Sequence, residues 1–142
     1  ATLVSIPITV DVTSTIYATV TGIANNSSPV YPQKFTYQII LRDSADTTNL
    51  ATSTGNSLSN IPNQQFLPFN DSQVLAGSSG SYVAAPGNYL LKVVVGGGIV
   101  CGVTPISANG ELTYILLSSA LDRIFANGFA LKSNSEIMAI MA

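Results

Sequence analysis

The stretch that decides the fold is Tyr89-Leu90-Leu91-Lys92-Val93-Val94-Val95, followed by Gly96-Gly97-Gly98 and Ile99-Val100-Cys101-Gly102-Val103. Lys92 is the only polar side chain among the first seven residues. A short, nearly continuous apolar run rich in β-branched residues and bounded by turn residues reads as a strand in the middle of a sheet. Pro86-Gly87 and Asn88 launch it. The three glycines are expected to end it as a turn or bulge, with residues 99–103 pairing back across them. Lys92 has two readings. It snorkels from a half-exposed sheet face, or it forms an amide crosslink to a nearby Asn or Asp.

Outward from this strand, the N-terminal part alternates. Val4, Ile6, Ile8, Val10 and Val12 share one parity, Ser5, Thr9, Asp11 and Thr13 the other, and the pattern resumes with Ile16, Ala18 and Val20. This is the period of half-buried strand. Fully extended, it would reach roughly 60 Å at about 3.3 Å per residue, against a radius of gyration of about 14–15 Å for a domain of this size. The chain therefore bends near 11–15, changing sheets or forming a hairpin, or else residues 1–12 are an extended arm. Pro7 suits an edge strand or an arm, because it donates no backbone hydrogen bond.

Further along, Asn25-Asn26-Ser27-Ser28-Pro29 reads as a loop. Residues 35–42 read as a strand with Phe35, Tyr37, Ile39 and Leu41 on one face, ended by a turn at 43–46. Residues 47–81 read as a long polar excursion with one or two short strands, pinned by Phe66 and Phe69. Asn109-Gly110 is a two-residue hairpin signal, followed by a strand over 111–117. Ser119 with Asp122, and Ser133 with Glu136, are capping patterns. They predict two short helices, the second carrying Ile137, Met138, Ile140 and Met141. The fold class expected is mainly β: six to nine strands as an antiparallel β-sandwich or curved sheet, with one or two short C-terminal helices. Residues 1–142 read as one domain.

Composition bears on function. Of 142 residues, 46% are hydrophobic and only 8% charged, against a usual charged share of about 25%. A surface this neutral associates easily. Lys34, Arg42, Lys92, Arg123 and Lys132 are scattered, which argues against strong nucleic-acid binding. No apolar run has membrane-spanning length. No leader is visible at Ala1, which fits a mature secreted product or loss of an initiator Met. The single cysteine, Cys101, permits no internal disulfide and reads as a buried thiol.

The chain has no His, which excludes His-based triads and His metal sites. Its carboxylates, Asp11, Asp43, Asp46, Asp71, Glu111, Asp122 and Glu136, sit mostly in turns or caps. The chain lacks Trp, so an aromatic-lined glycosidase cleft is not expected. The expectation is a non-enzyme with no cofactor and no metal. Asp43, Asp46 and Asn49 could contribute to a calcium loop but follow no EF-hand pattern. Asn25, Asn26 and Asn70 lie in Asn-x-Ser sequons and are candidate glycan acceptors.

Two resemblances follow from these segments. Residues 2–12 resemble the donor strand of surface-filament subunits, in which an extended arm completes the sheet of the next subunit. The chain lacks the disulfide of many such pilins. The order of strand 111–117 and two helices resembles the coat proteins of small single-stranded RNA phages, although the basic residues those coats present to RNA are missing. The resemblances imply a structural protein whose partner is a copy of itself. The first reading is a subunit of an extracellular filament or pilus joined by β-strand exchange. The alternative is a viral coat (capsid) protein, and the third is a secreted monomeric binding domain using residues 47–81. The assembly residues expected are Val4, Ile6, Ile8, Val10, Ile137, Ile140 and Met141.

Overall fold

The structure, a computed structural model, describes residues 2–27, 32–98, 106–118, 129–135 and 139–141. Within them the chain is mainly β, in two antiparallel sheets. The strands are β1 (Thr2–Val10), β2 (Ser14–Asn26), β3 (Gln33–Asp43), β4 (Asn49–Thr52), β5 (Asn56–Ile61), β6 (Gln65–Val74), β7 (Ala76–Gly77), β8 (Gly80–Ser81), β9 (Val83–Ala84), β10 (Gly87–Gly98), β11 (Ile106–Ser118), β12 (Phe129–Ser135) and β13 (Ala139–Met141). Sheet A has the order β1-β10-β3-β4-β7-β8, with β5 also paired to β3. Sheet B has the order β12-β11-β2-β6, with β13 on β11 and β9 on β2.

The apolar run at 89–95 lies in a central strand, between β1 and β3. Leu91 and Val93 are fully buried, and so are Ile39 and Leu41 of β3. The alternating N-terminal segment bends at Asp11, Val12 and Thr13 and changes sheets, β1 lying in A and β2 in B. Because the parity of the pattern survives the bend, Val4, Ile6, Ile8, Val10, Ile16, Ala18 and Val20 all enter one core shared by both sheets.

The inner face of sheet B has a hollow. Gly22 of β2 stands opposite Gly110 of β11. A Cβ on Gly22 would lie 2.5 Å from the Phe69 ring and against the Asn109 carbonyl, and one on Gly110 would lie 3.1 Å from Leu3 Cδ2. Phe69 fills the hollow from β6 and Leu3 fills it from the opposite sheet. From there the Phe69 ring reaches Phe35 at 5.0 Å and Tyr37 at 4.8 Å between centroids. A bulge between Thr2 and Val4 turns Leu3 inward beside Val4.

Several expectations are overturned. Asn109-Gly110 is not a hairpin but the interior of β11, whose ladder with β2 runs unbroken from Ile106↔Asn26 to Ser118↔Ser14. The glycine is needed for its missing Cβ, not for a positive φ. Gly96-Gly97-Gly98 form neither turn nor bulge, since all three pair with β3 at Thr36, Phe35 and Lys34 as the last residues of β10. The loop expected at 25–29 begins later, because β2 continues to Asn26. Residues 47–81 hold β4 to β8 rather than one or two strands. Phe69 is their pin, while Phe66 is 68% exposed. These short strands take the count to thirteen among the described residues.

The described residues of the expected second helix are strand instead. Ser133, Asn134 and Ser135 pair with Thr113, Leu112 and Glu111, and residues 139–141 pair with Ala108, Ser107 and Ile106. A nine-residue helix is marginal by itself, and the outer edge of the thirteen-residue β11 offers backbone partners along its length. The first expected helix, residues 99–105 and Cys101 lie outside the described residues.

Phe69→Ala should lower unfolding free energy by about 3–5 kcal/mol, as for a buried aromatic. Gly22→Ala should cost about 1–3 kcal/mol by overpacking. Urea denaturation measures both, and an unchanged midpoint for Gly22→Ala would refute the hollow.

Candidate assembly surfaces

Among the described residues β1 is an edge strand, hydrogen-bonded to β10 alone. Its register runs from Thr2↔Val94 to Val10↔Gly87. Pro7 is at home here, because a missing N–H on the outer side of an edge strand costs no ladder bond. Val4, Ile6, Ile8 and Val10, the four N-terminal residues expected to mediate assembly, are 1–4% exposed in the chain's own core. Thr9 and Asn88 touch across the pair, Thr9 Oγ1 donating to Asn88 Oδ1 at 3.0 Å. The C-terminal assembly residues are placed differently from a helix face. Ile140 and Met141 pair with Ser107 and Ile106 in β13, and Ile137 lies outside the described residues.

A second surface was not expected from sequence. Among the described residues the exposed large hydrophobic side chains are Ile23, Phe66, Val74, Val83 and Leu117. Registers place all five on the outer face of sheet B. At one end Val83 and Leu117 flank Thr15, and Val74 and Ile115 flank Tyr17. At the other end Pro68 pairs with Ile23, and Phe66 with Asn25. Between the ends run two polar rows. Ser72, Thr19 and Thr113 form one, and Asn70, Thr21 and Glu111 the other. Thr19 and Ser72 share a 2.8 Å hydroxyl hydrogen bond. The signal was in β2 itself, where Tyr17 and Ile23 interrupt an otherwise polar outward parity.

The outer face of sheet A carries a charged cluster. Asp46, in a left-handed turn conformation at φ 60°, takes Lys92 Nζ at 3.0 Å and Arg42 Nε at 2.6 Å. The Arg42 contact lies off the N–H direction and is ionic rather than a directed hydrogen bond. Lys92, with neighbouring Arg42, holds the Asp46 carboxyl below its usual range. An amide crosslink needs a neutral amine and a protonated carboxyl, so this pair is arranged as an ion pair instead. Lys92 stands opposite Ile40 in the ladder, and Ile40 is buried despite its outward parity.

The Asp43 and Asn49 oxygens that could contribute to a calcium loop face protein donors. Asp43 accepts from Thr47 N at 2.7 Å, Thr47 Oγ1 at 2.6 Å and Thr48 N at 3.0 Å. Asn49 Oδ1 accepts from Arg42 Nη1. Among the described residues no group of three or more acidic or sulfur side chains could hold a metal, and no helix is long and apolar enough to cross a membrane.

The sequons separate clearly. Asn26 is fully buried, and its Nδ2 donates to Ile61 O at 2.9 Å and Pro62 O at 3.3 Å. A glycan cannot be accommodated there in the folded chain. Asn25 is half-buried within β2, and Asn70 is exposed on the edge strand β6.

A shallow open groove of about 420 Å³ lies on sheet A, lined by Thr36, Gln38, Gly55, Val94 and Gly96. Tyr37 and Val95 line it as well. Comparison with family models, curated proteins and solved structures finds no match for the chain.

Hydrogen bonds from Thr47 and Thr48 lower the Asp43 carboxyl from 3.8 to about 2. Its folded value lies below its unfolded value, so its stabilising contribution is present above about pH 4 and is lost as pH falls toward 2. The urea midpoint should fall over that window, and Asp43→Asn should remove part of the fall. Identical pH profiles for the two proteins would refute this.

Proposed function

We propose that the chain is a non-enzymatic structural subunit that assembles with copies of itself by exchange of β1, in the manner of an extracellular filament or pilus. The observation that carries this reading is the position of β1. Among the described residues it sits on a sheet edge, and it inserts Val4, Ile6, Ile8 and Val10 into the core between the sheets. A strand of this kind binds by main-chain ladder plus alternate side-chain pockets, which is the mode of strand addition. A neighbouring copy supplies the same strand, so exchange preserves every contact. The bend at Asp11, Val12 and Thr13 is the hinge, and the constant side-chain parity across it lets the two halves separate without turning either one over.

The low charge of the chain supports association rather than solitary existence. A β-sandwich built of two sheets, rather than one curved sheet, fits the shared core. A closed shell is the second reading, favoured by the broad and almost uncharged outer face of sheet B. Location outside a cell or in a virion follows from either reading.

The test fixes β1 in its own domain. Thr9→Cys with Asn88→Cys, in a Cys101→Ser background, places two thiols on a directly opposed cross-strand pair, where a disulfide fits. Oxidised as a monomer, the protein should form no polymers by electron microscopy and light scattering, and reduction should restore them. Cysteines introduced before assembly should link neighbouring subunits into covalent ladders. Equal polymerisation of the locked and reduced proteins would overturn strand exchange. Closed shells instead of filaments would favour the second reading.

A further inference from the structure

The outer face of sheet B has a layout that repeats when its ends are reversed. Counted along β2, its six outward rows are centred on Thr15, Tyr17, Thr19, Thr21, Ile23 and Asn25. The two rows at each end carry the exposed apolar side chains, and the two middle rows carry hydroxyl and amide groups. The midpoint falls at the level of Val20. A two-fold axis there, lying in the face and across the strands, lays Val83 over Phe66, Val74 over Pro68, Tyr17 over Ile23 and the polar belt on the polar belt, while on β11 Leu117 and Ile115 meet Ser107 and Asn109. Such self-complementarity is what an isologous interface requires.

From this layout we infer that the outer face of sheet B is an interface with a second copy of the chain, packed face to face. Charge agrees with a copy as the occupant. Among the described residues Glu111 is the only charged residue in the six rows, and the reversal sets it opposite Thr113 of the second copy rather than against its own carboxylate. A partner with a charged surface would find only Glu111 among the described residues of this face.

Area agrees as well. Four strands about 4.8 Å apart, over about twelve residues at about 3.3 Å each, give about 600–750 Å² per copy. A symmetric pair then buries about 1,200–1,500 Å², within the range of specific, stable interfaces. Two twisted sheets pack in this way at about 30° between strand directions. The contact is independent of β1, which lies in the other sheet, so it stands or falls apart from strand exchange.

The test uses the oxidised Thr9→Cys/Asn88→Cys protein, in which exchange is blocked, and sedimentation equilibrium over a range of concentrations. The locked protein should show a monomer–dimer equilibrium. Phe66→Lys with Leu117→Lys, one change at each apolar end, should raise the dissociation constant roughly tenfold or more. Ile23→Lys with Val74→Lys should do the same, and thermal melts verify that both variants fold. A locked protein that stays monomeric at every concentration would overturn the interface. So would a dimer that both pairs of substitutions leave unchanged.

Discussion

The fold depends on two missing side chains. Gly22 and Gly110 face each other in the central pair of sheet B, and the hollow they leave is filled from two directions. Phe69 enters from the neighbouring strand and continues across the core to Phe35 and Tyr37. Leu3 enters from the opposite sheet. One site thus joins β2, β11 and β6 of one layer to β1 and β3 of the other. A methyl group at Gly22 would occupy the space of the ring, and aromatic packing of this kind contributes beyond the area it buries. The stacking of Phe35 on Tyr37, 5.9 Å between centroids, extends the cluster along β3.

The same economy shapes the exposed surface. Polar groups on the two sheets are mostly hydroxyls and amides, which form ladders such as Thr19 with Ser72 and networks such as Gln73 with Thr54 and Asp71. Charges gather instead at one corner of sheet A, where Arg42 and Lys92 both pair with Asp46. The rest of the surface is left with little to hold copies apart. Protein surfaces normally use charge and blunted edges for that purpose. Here Pro7 and Pro68 blunt two edge strands, β1 and β6, while the outer face of sheet B stays open and apolar at both ends. The surface that repels least is therefore a face rather than an edge, apart from β1, whose own side chains are already committed to a core.

The N-terminal bend links these features. A strand that leaves one sheet at Val10 and enters the other at Ser14 must turn within three residues. The Ser14 hydroxyl donates to the Val12 carbonyl at 2.6 Å and closes the corner. The corner holds β1 against β11 across the core as well as against β10 beside it, which is why a terminal strand is so deeply buried.

Much of this was legible in the residues. The alternation from Val4 to Val20, the apolar run at 89–95 and the inward set Phe35, Tyr37, Ile39 and Leu41 gave strands, their faces and the bend, because side-chain parity in a strand is local. The extreme lack of charge was legible for the same reason, being a property of composition. What the tertiary structure decided were the matters that depend on a partner strand. Asn109-Gly110 has the local signature of a hairpin, and only pairing with Gly22 makes it the interior of a long strand. Ser133 with Glu136 has the local signature of a helix start, and only the free edge of β11 draws that segment into a sheet. Phe66 and Phe69 are three residues apart and alike in chemistry, yet opposite parity sends one to solvent and the other to the core. Local sequence sets what each residue can do; the register between strands, which arises from contacts distant in the chain, selects among those choices.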